Sequence, residues 1–204
     1  MQAISRPLTQ AENREYRRKS LLEASVRTVA EQGIEGATIA KICAEAGASR
    51  GMSAHYFSSK EDLLAACLSK MFTDALDIKR EIGADTDSDP LTLIHRCAAA
   101  SFRPPGFDKN VLAAWQAFTS ASRYTLRYRE IIQENSQQMM AFYLRLFGEA
   151  AKTTPLHLPA EQATRGLLAL LDGLWSNIAL NKHALSTDDA IQACNSYIRG
   201  CFRQ

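Results

Sequence analysis

From Thr38 to Lys60 the chain reads TIAKICAEAGASRGMSAHYFSSK, a stretch that predicts two short helices meeting at a tight turn. Thr38 can cap the first helix through its hydroxyl, and Gly47 ends it because glycine tolerates positive φ. Ser49 caps the second, which runs to about Tyr56. Ile39, Ile42 and Cys43 fall on one side of the first helix and point inward. The tripeptide Gly47-Ala48-Ser49 then sets the second helix across the first, as in a helix-turn-helix. A second helix so placed can lie in a DNA major groove with its N-terminal residues at the base edges. Its exposed side chains are expected to be Arg50, Met52, Ser53 and His55. Arg50 can give a bidentate pair to guanine, Met52 can touch a thymine methyl, and Gly51 allows close backbone approach. Lys60, opening the next helix, is placed to reach a phosphate. An ordinary helical hairpin, whose glycine merely ends a helix, accounts for the same turn. Arg14, Arg17, Arg18 and Lys19 cluster just upstream, either as a solvated helix end or as further phosphate contacts.

Outward from this stretch, proline, glycine and short polar residues divide the chain into helices. The first is expected from about Asn13 to Gln32, stopped by Gly33, with Leu22, Val26, Val29 and Ala30 on one face. Ser58 or Ser59 caps a longer helix, with Glu61 and Asp62 in its first turn and an apolar stripe of Leu64, Leu68, Met71, Ala75, Ile78 and Ile82. Asp89-Pro90 restarts a helix that Pro104-Pro105-Gly106 breaks, and Asp108 caps the next. A long helix is expected from Tyr124 to Phe147, one from Pro159 to about Leu180, and a last one from the Ser186 cap through Phe202. The expectation is an all-α chain of about nine helices, with no run of alternating β-branched residues to make a sheet.

Composition narrows the classes. The 204 residues are 46% hydrophobic and 23% charged, which is globular and not disordered. With 24 basic and 22 acidic residues the net charge is +2, so no basic tail marks a nucleic-acid binder. The first ten residues hold no apolar core of a secretory signal, and the most apolar stretch, 166–181, is interrupted by Asp172. No membrane span is expected. Five cysteines without a CxxC pair predict reduced thiols and a cytoplasmic location. There is no phosphate-binding glycine loop, GxSxG, HExxH or carboxylate pair, and His55, His95, His157 and His183 show no metal-ligand spacing. Neither an enzyme, a cofactor nor a metal site is expected.

The helix-turn-helix stretch resembles the TetR family of bacterial transcriptional regulators. The resemblance rests on Ala37-Thr38-Ile39, Ile42, Ala46-Gly47, Ser49, Gly51, Tyr56-Phe57 and Lys60-Glu61-Asp62-Leu63-Leu64, and extends over about fifty residues from Leu21 to Leu68. It implies an N-terminal DNA-binding domain, 1–57, and a C-terminal effector-binding and dimerisation domain, 58–204. It further implies a double-stranded operator as partner, a homodimer, and usually repression relieved by a small molecule. Carried over by position, Thr38, His55 and Lys60 become backbone contacts, with Ser49 and Gly51 beside them and Arg50, Met52 and Ser53 reading bases. Tyr56 is either a further backbone contact or, with Phe57, a core aromatic that fixes the recognition helix. Ala54 stands where many members have a backbone-touching tyrosine. Residues 113–118 (AAWQAF) and 166–175 (GLLALLDGLW), with the small Ala54, are similar to the choline-responsive BetI branch.

If the effector is a quaternary ammonium, its site needs aromatic faces and one carboxylate. Phe102, Trp115, Phe118, Tyr143, Asp172 and Trp175 supply those types. The same aromatics fit an ordinary core equally well. Leu167, Leu171, Leu174 and Ile178, with Ile191 and Ile198 on the last helix, give apolar stripes suited to a dimer surface or to internal packing. A two-fold dimer would set two recognition helices about 34–36 Å apart on a palindrome. The rival function is a DNA-bound architectural or partner-binding protein of the same fold with no small-molecule effector.

Overall fold

Short polar side chains at the helix starts set the architecture. The computed structural model describes residues 9–180 and 185–203, so His183 and most of the ten N-terminal residues read above lie outside it. Among the described residues the chain forms α1 (Gln10–Gly36), α2 (Ile39–Glu45), α3 (Arg50–Tyr56), α4 (Lys60–Gly83), α5 (Pro90–Ala100), α6 (Lys109–Ala121), α7 (Leu126–Ala150), α8 (Ala160–Leu180) and α9 (Thr187–Cys201). Thr38, Ser49, Ser59, Asp89, Asp108 and Ser186 each accept a backbone N–H in the first turn of the helix they precede. These bonds satisfy donors that a helix start leaves open. Thr9 and Glu12 form a reciprocal cap, which carries α1 a turn further back than its apolar face predicts. At Gly33, φ of 69° breaks the regular helix where the sequence places its stop. α7 begins at Leu126, because Ser122–Thr125 are used in the turn that closes α6, with Thr125 N–H bonded to the Ala121 carbonyl at 2.9 Å. No strand occurs among the described residues; a single bridge joins Leu156 to Phe202.

Burial sorts the helices around two cores. The first gathers Leu21, Leu22 and Val29 of α1, Ile42 and Cys43 of α2, Phe57, and Leu63 to Leu68 of α4. It also takes in Ala114 and Phe118 of α6 and Tyr128 and Ile131 of α7. The second is built from Leu76 of α4, Leu93 to Ala98 of α5, Met139 to Phe147 of α7, and the inner faces of α8 and α9. α4 therefore contributes to both, its first half below and its second half above. α1 lies along α6 as well as on α2 and α4, so the helix-turn-helix is packed directly against the body.

One expectation is corrected by this packing. Leu167, Leu171, Leu174, Ile191 and Ile198 are buried within their own chain, and Ile178 is half-buried against the same core. The five buried side chains are spent on the second core and leave little surface for a partner, whereas Ile178 keeps part of its surface open. The small residues on the other side are open. Ala169, Gly173 and Asn177 of α8 and Ser196 and Gly200 of α9 are exposed, and a Cβ at Gly173 or Gly200 would meet nothing within 4 Å.

Candidate DNA interface and ligand cavity

α3 is only seven residues long and is held from three sides. Ser49 Oγ accepts the Met52 N–H at 3.1 Å and fixes its start. Phe57, buried in the first core, fixes its end. From α1, the Arg18 guanidinium lies 5.7 Å from the Phe57 ring and that of Arg14 lies 6.0 Å from the Tyr56 ring. The upstream basic cluster thus sits beside the recognition helix. Lys60 Nζ donates to the Glu35 carbonyl at 3.2 Å, tying the start of α4 to the end of α1.

The face left outward carries Ser49, Arg50, Gly51, Ala54 and His55, with Met52 and Tyr56 half-exposed and Thr38 at the head of α2 exposed too. Arg50 has no ion pair among the described residues. Ser53 does not join them. It is 1% exposed, one turn before the buried Phe57 and on the same side of the helix, so its hydroxyl cannot reach a base edge. Ala54 takes the outward position instead.

A second site lies in the body, where α4, α5, α6, α7 and α8 line an open cavity of about 120 Å³. Its walls include Trp115, Tyr143, Asp172 and Trp175, so four of the six expected effector residues come together. The Trp115 and Trp175 rings meet edge to face at 5.6 Å, and Trp175 Nε1 donates to the Ser101 carbonyl at 2.9 Å. Phe102 stands behind this wall. It packs on Phe107, which packs in turn on Trp175. Phe118 is elsewhere, fully buried in the first core and edge to face with Tyr128 at 5.3 Å. It sits three positions on from Trp115, turned toward α1, which removes it from the cavity.

Charge in this cavity is unusual. Asp172 makes no ion pair among the described residues, and desolvation raises its carboxyl although the residue is exposed at the mouth of the cavity. The Tyr143 hydroxyl is fully buried, with only the Ser101 side chain beside it among the described residues. Lys79, on the buried side of α4, also lines the cavity and is 5% exposed. Burial pulls its amine down to about 8. Sequence reading passes over Lys79, because a lysine in a mixed helix signals solvent; only the tertiary packing puts it inside. Among the described residues no group of His, Cys, Asp or Glu is arranged to hold a metal, and no helix is long and apolar enough to cross a membrane. All five cysteines are buried and free.

Both halves of the chain resemble known proteins. Residues 21–67 match the family of bacterial regulatory proteins of the tetR family, and residues 90–203 match the C-terminal domain of the BetI-type transcriptional repressors. The HTH-type transcriptional regulator BetI of Burkholderia mallei is 32% identical over 185 residues, covering 91% of this chain and 93% of that protein. The BetI regulator of Burkholderia ambifaria is 32% identical over 187 residues, covering 91% and 93%. A transcriptional regulator from Pseudomonas aeruginosa PAO1 has a similar structure, with a TM-score of 0.78, 26% identity, and 91% and 90% of the two chains covered. A regulator from Saccharomonospora viridis, solved in complex with choline, shares the fold at a TM-score of 0.82 and 21% identity, over 93% and 100% of the chains.

Proposed function

Because this chain belongs to the TetR family of bacterial regulatory proteins, with a BetI-type repressor C-terminal domain, we propose that a small trimethylammonium compound releases it from its operator. As a member of that family it is a transcriptional repressor and not an enzyme, and it binds DNA as a dimer under the control of a small molecule. The observation that carries the ligand class is Asp172, a carboxylate beside the Trp115–Trp175 wall with no cation partner among the described residues. A quaternary ammonium has no N–H to donate, so it is recognised through ring faces, each worth about 0.5–2 kcal/mol, and through an opposite charge. The choline bound by the Saccharomonospora viridis regulator is a compound of this class.

At the DNA, Arg50 and Met52 are assigned to base edges, with Gly51 giving close approach and Thr38, Ser49, His55, Tyr56 and Lys60 on the backbone. The DNA-reading part is 1–57 and the effector and dimer part 58–204, a functional division rather than a packing one, since the first core spans both. Lys60 reaches back across it from α4. The dimer face is the open side of α8 and α9, around Ala169, Gly173, Ser196 and Gly200, where small side chains permit close helix approach. A repressor of this kind works in the cytoplasm, where its operator is. Ligand binding favours a spacing of the two recognition helices that fits the operator poorly, so affinity falls by population shift.

The test is selection of an operator from random duplexes with the purified protein, repeated with choline and other trimethylammonium compounds. A palindrome that is lost with at least one of them upholds the ligand class. A palindrome indifferent to all of them overturns it and leaves the repressor with another effector.

A further inference from the structure

The clefts of this molecule differ in how their charges are satisfied. The cleft of about 340 Å³ between α1, α4 and the turn before α6 is lined by Glu23, Arg27, Lys70, Asp74 and Asp108. Each of these is engaged within the chain. Arg27 pairs with Glu45 at 2.5 Å, Lys70 with Asp74 at 2.7 Å and Lys19 with Glu23 at 3.8 Å, while Asp108 caps α6. The smaller cavity in the body is the reverse. It holds one acid and one base, and neither has a charged partner among the described residues.

At its inner end, the one hydrogen bond of Lys79 Nζ among the described residues is to the Ala75 carbonyl of its own helix, at 3.4 Å. Desolvation is what acts on Asp172, and desolvation and the Cys97 thiol are what act on Lys79, so the two charges do not satisfy each other. Cys97 links Lys79 to Tyr143: its Sγ donates to the Lys79 carbonyl at 3.6 Å, and it influences the buried Tyr143 hydroxyl. Ser101 lies beside that hydroxyl and below the Trp175 indole. The deep end thus gathers an ammonium and a buried hydroxyl beside Ser101, and the more open side gathers two indoles and a carboxylate. A buried lysine with no counter-ion is costly, and a ligand anion removes the cost. A ligand that is only a cation would bring a second positive charge into the same cavity.

We propose that the cavity is built for a zwitterion, with a trialkylammonium group held by Trp115, Trp175 and Asp172 and a carboxylate received by Lys79 and the Tyr143 hydroxyl. This rests on the trimethylammonium assignment above and adds the second charge. The test is calorimetric titration of the full-length dimer with choline, with trimethylammonioacetate and with tetramethylammonium, for the wild type, Lys79→Met and Asp172→Asn. The wild type is expected to bind trimethylammonioacetate at least tenfold more tightly than choline. Lys79→Met is expected to abolish that preference and to tighten choline severalfold, and Asp172→Asn to weaken every compound. The wild-type ratio needs no variant to fold. Tighter binding of choline than of the carboxylate by the wild type, or an unchanged ratio in Lys79→Met, overturns the zwitterion while leaving the trimethylammonium site standing. Failure of all three compounds to bind overturns both.

Discussion

Lys79 shows how one side chain can set a stability profile as well as a ligand preference. Its amine is depressed from the ordinary 10.5 to about 8 by burial, so in that interval the unfolded chain binds the proton and the folded chain does not. The penalty is fully present below pH 8 and fades as pH rises toward 10.5. A scan of urea unfolding against pH should therefore show the wild type gaining on Lys79→Met between pH 8 and 10. At pH 7 the variant should be the more stable. Equal stability of the two at pH 7 would mean the amine is solvated after all. Gly166 gives a second expectation, of strain. A Cβ there would lie 1.9 Å from the Tyr197 hydroxyl, which donates to the Ala163 carbonyl at 3.0 Å. Gly166→Ala must displace the ring and lose that bond, an overpacking cost of about 1–3 kcal/mol readable as a lower Tm. Neither effect is visible in sequence. Asp172, Trp115 and Trp175 are legible there because an acid in an apolar run and tryptophans in a helical domain stand out by type. Lys79 and the Gly166–Tyr197 contact depend on which faces of distant helices meet.

At the scale of the element, local chemistry reads well and orientation less so. The caps at Thr38, Ser49, Asp89, Asp108 and Ser186 and the stop at Gly33 are legible because each depends on two or three neighbouring residues. Which side of α3 faces outward is not, since a seven-residue helix has barely two turns and no long apolar stripe. The same holds for α8 and α9, whose stripes fit an internal core and a dimer equally until their partners are known. α3 supplies a paired test of its assigned face. Arg50→Ala should cost about 1–3 kcal/mol at one base position and little elsewhere, measured by binding to a set of singly substituted operators. Ser53→Ala, inside the turn, should leave the pattern of preferred bases unchanged. A uniform loss across the set for Arg50→Ala would move that residue to the phosphate backbone. A changed base preference for Ser53→Ala would show that α3 rotates on binding DNA.

For the whole molecule, the question is how a cavity in the body is felt at a helix in the groove. Two elements touch both. α4 carries Leu63 to Leu68 into the core that holds the helix-turn-helix, and Phe72, Ile78 and Lys79 into the cavity wall. α6 does the same within one turn, with Trp115 on the cavity and Phe118 locked against Tyr128 in the first core. A ligand that moves the Trp115 wall must shift Phe118 or rotate α6 against α1, along which it lies. Allosteric coupling is a free energy shared by both sites, commonly about 1–3 kcal/mol, and it is reciprocal. The factor by which ligand weakens operator binding must therefore equal the factor by which operator weakens ligand binding. Phe118→Leu keeps the site apolar and removes the ring that makes the contact with Tyr128. Ligand affinity in the absence of DNA should change less than twofold, because Phe118 touches no part of the cavity. The coupling measured by anisotropy in either direction should fall by about 0.5–2 kcal/mol. Loss of coupling with intrinsic affinities retained would identify the Trp115–Phe118 turn as part of the two-state element. Full coupling in the variant would leave α4 as the connection, and the corresponding test would then lie at Phe72, which joins the cavity wall to the first core on that helix.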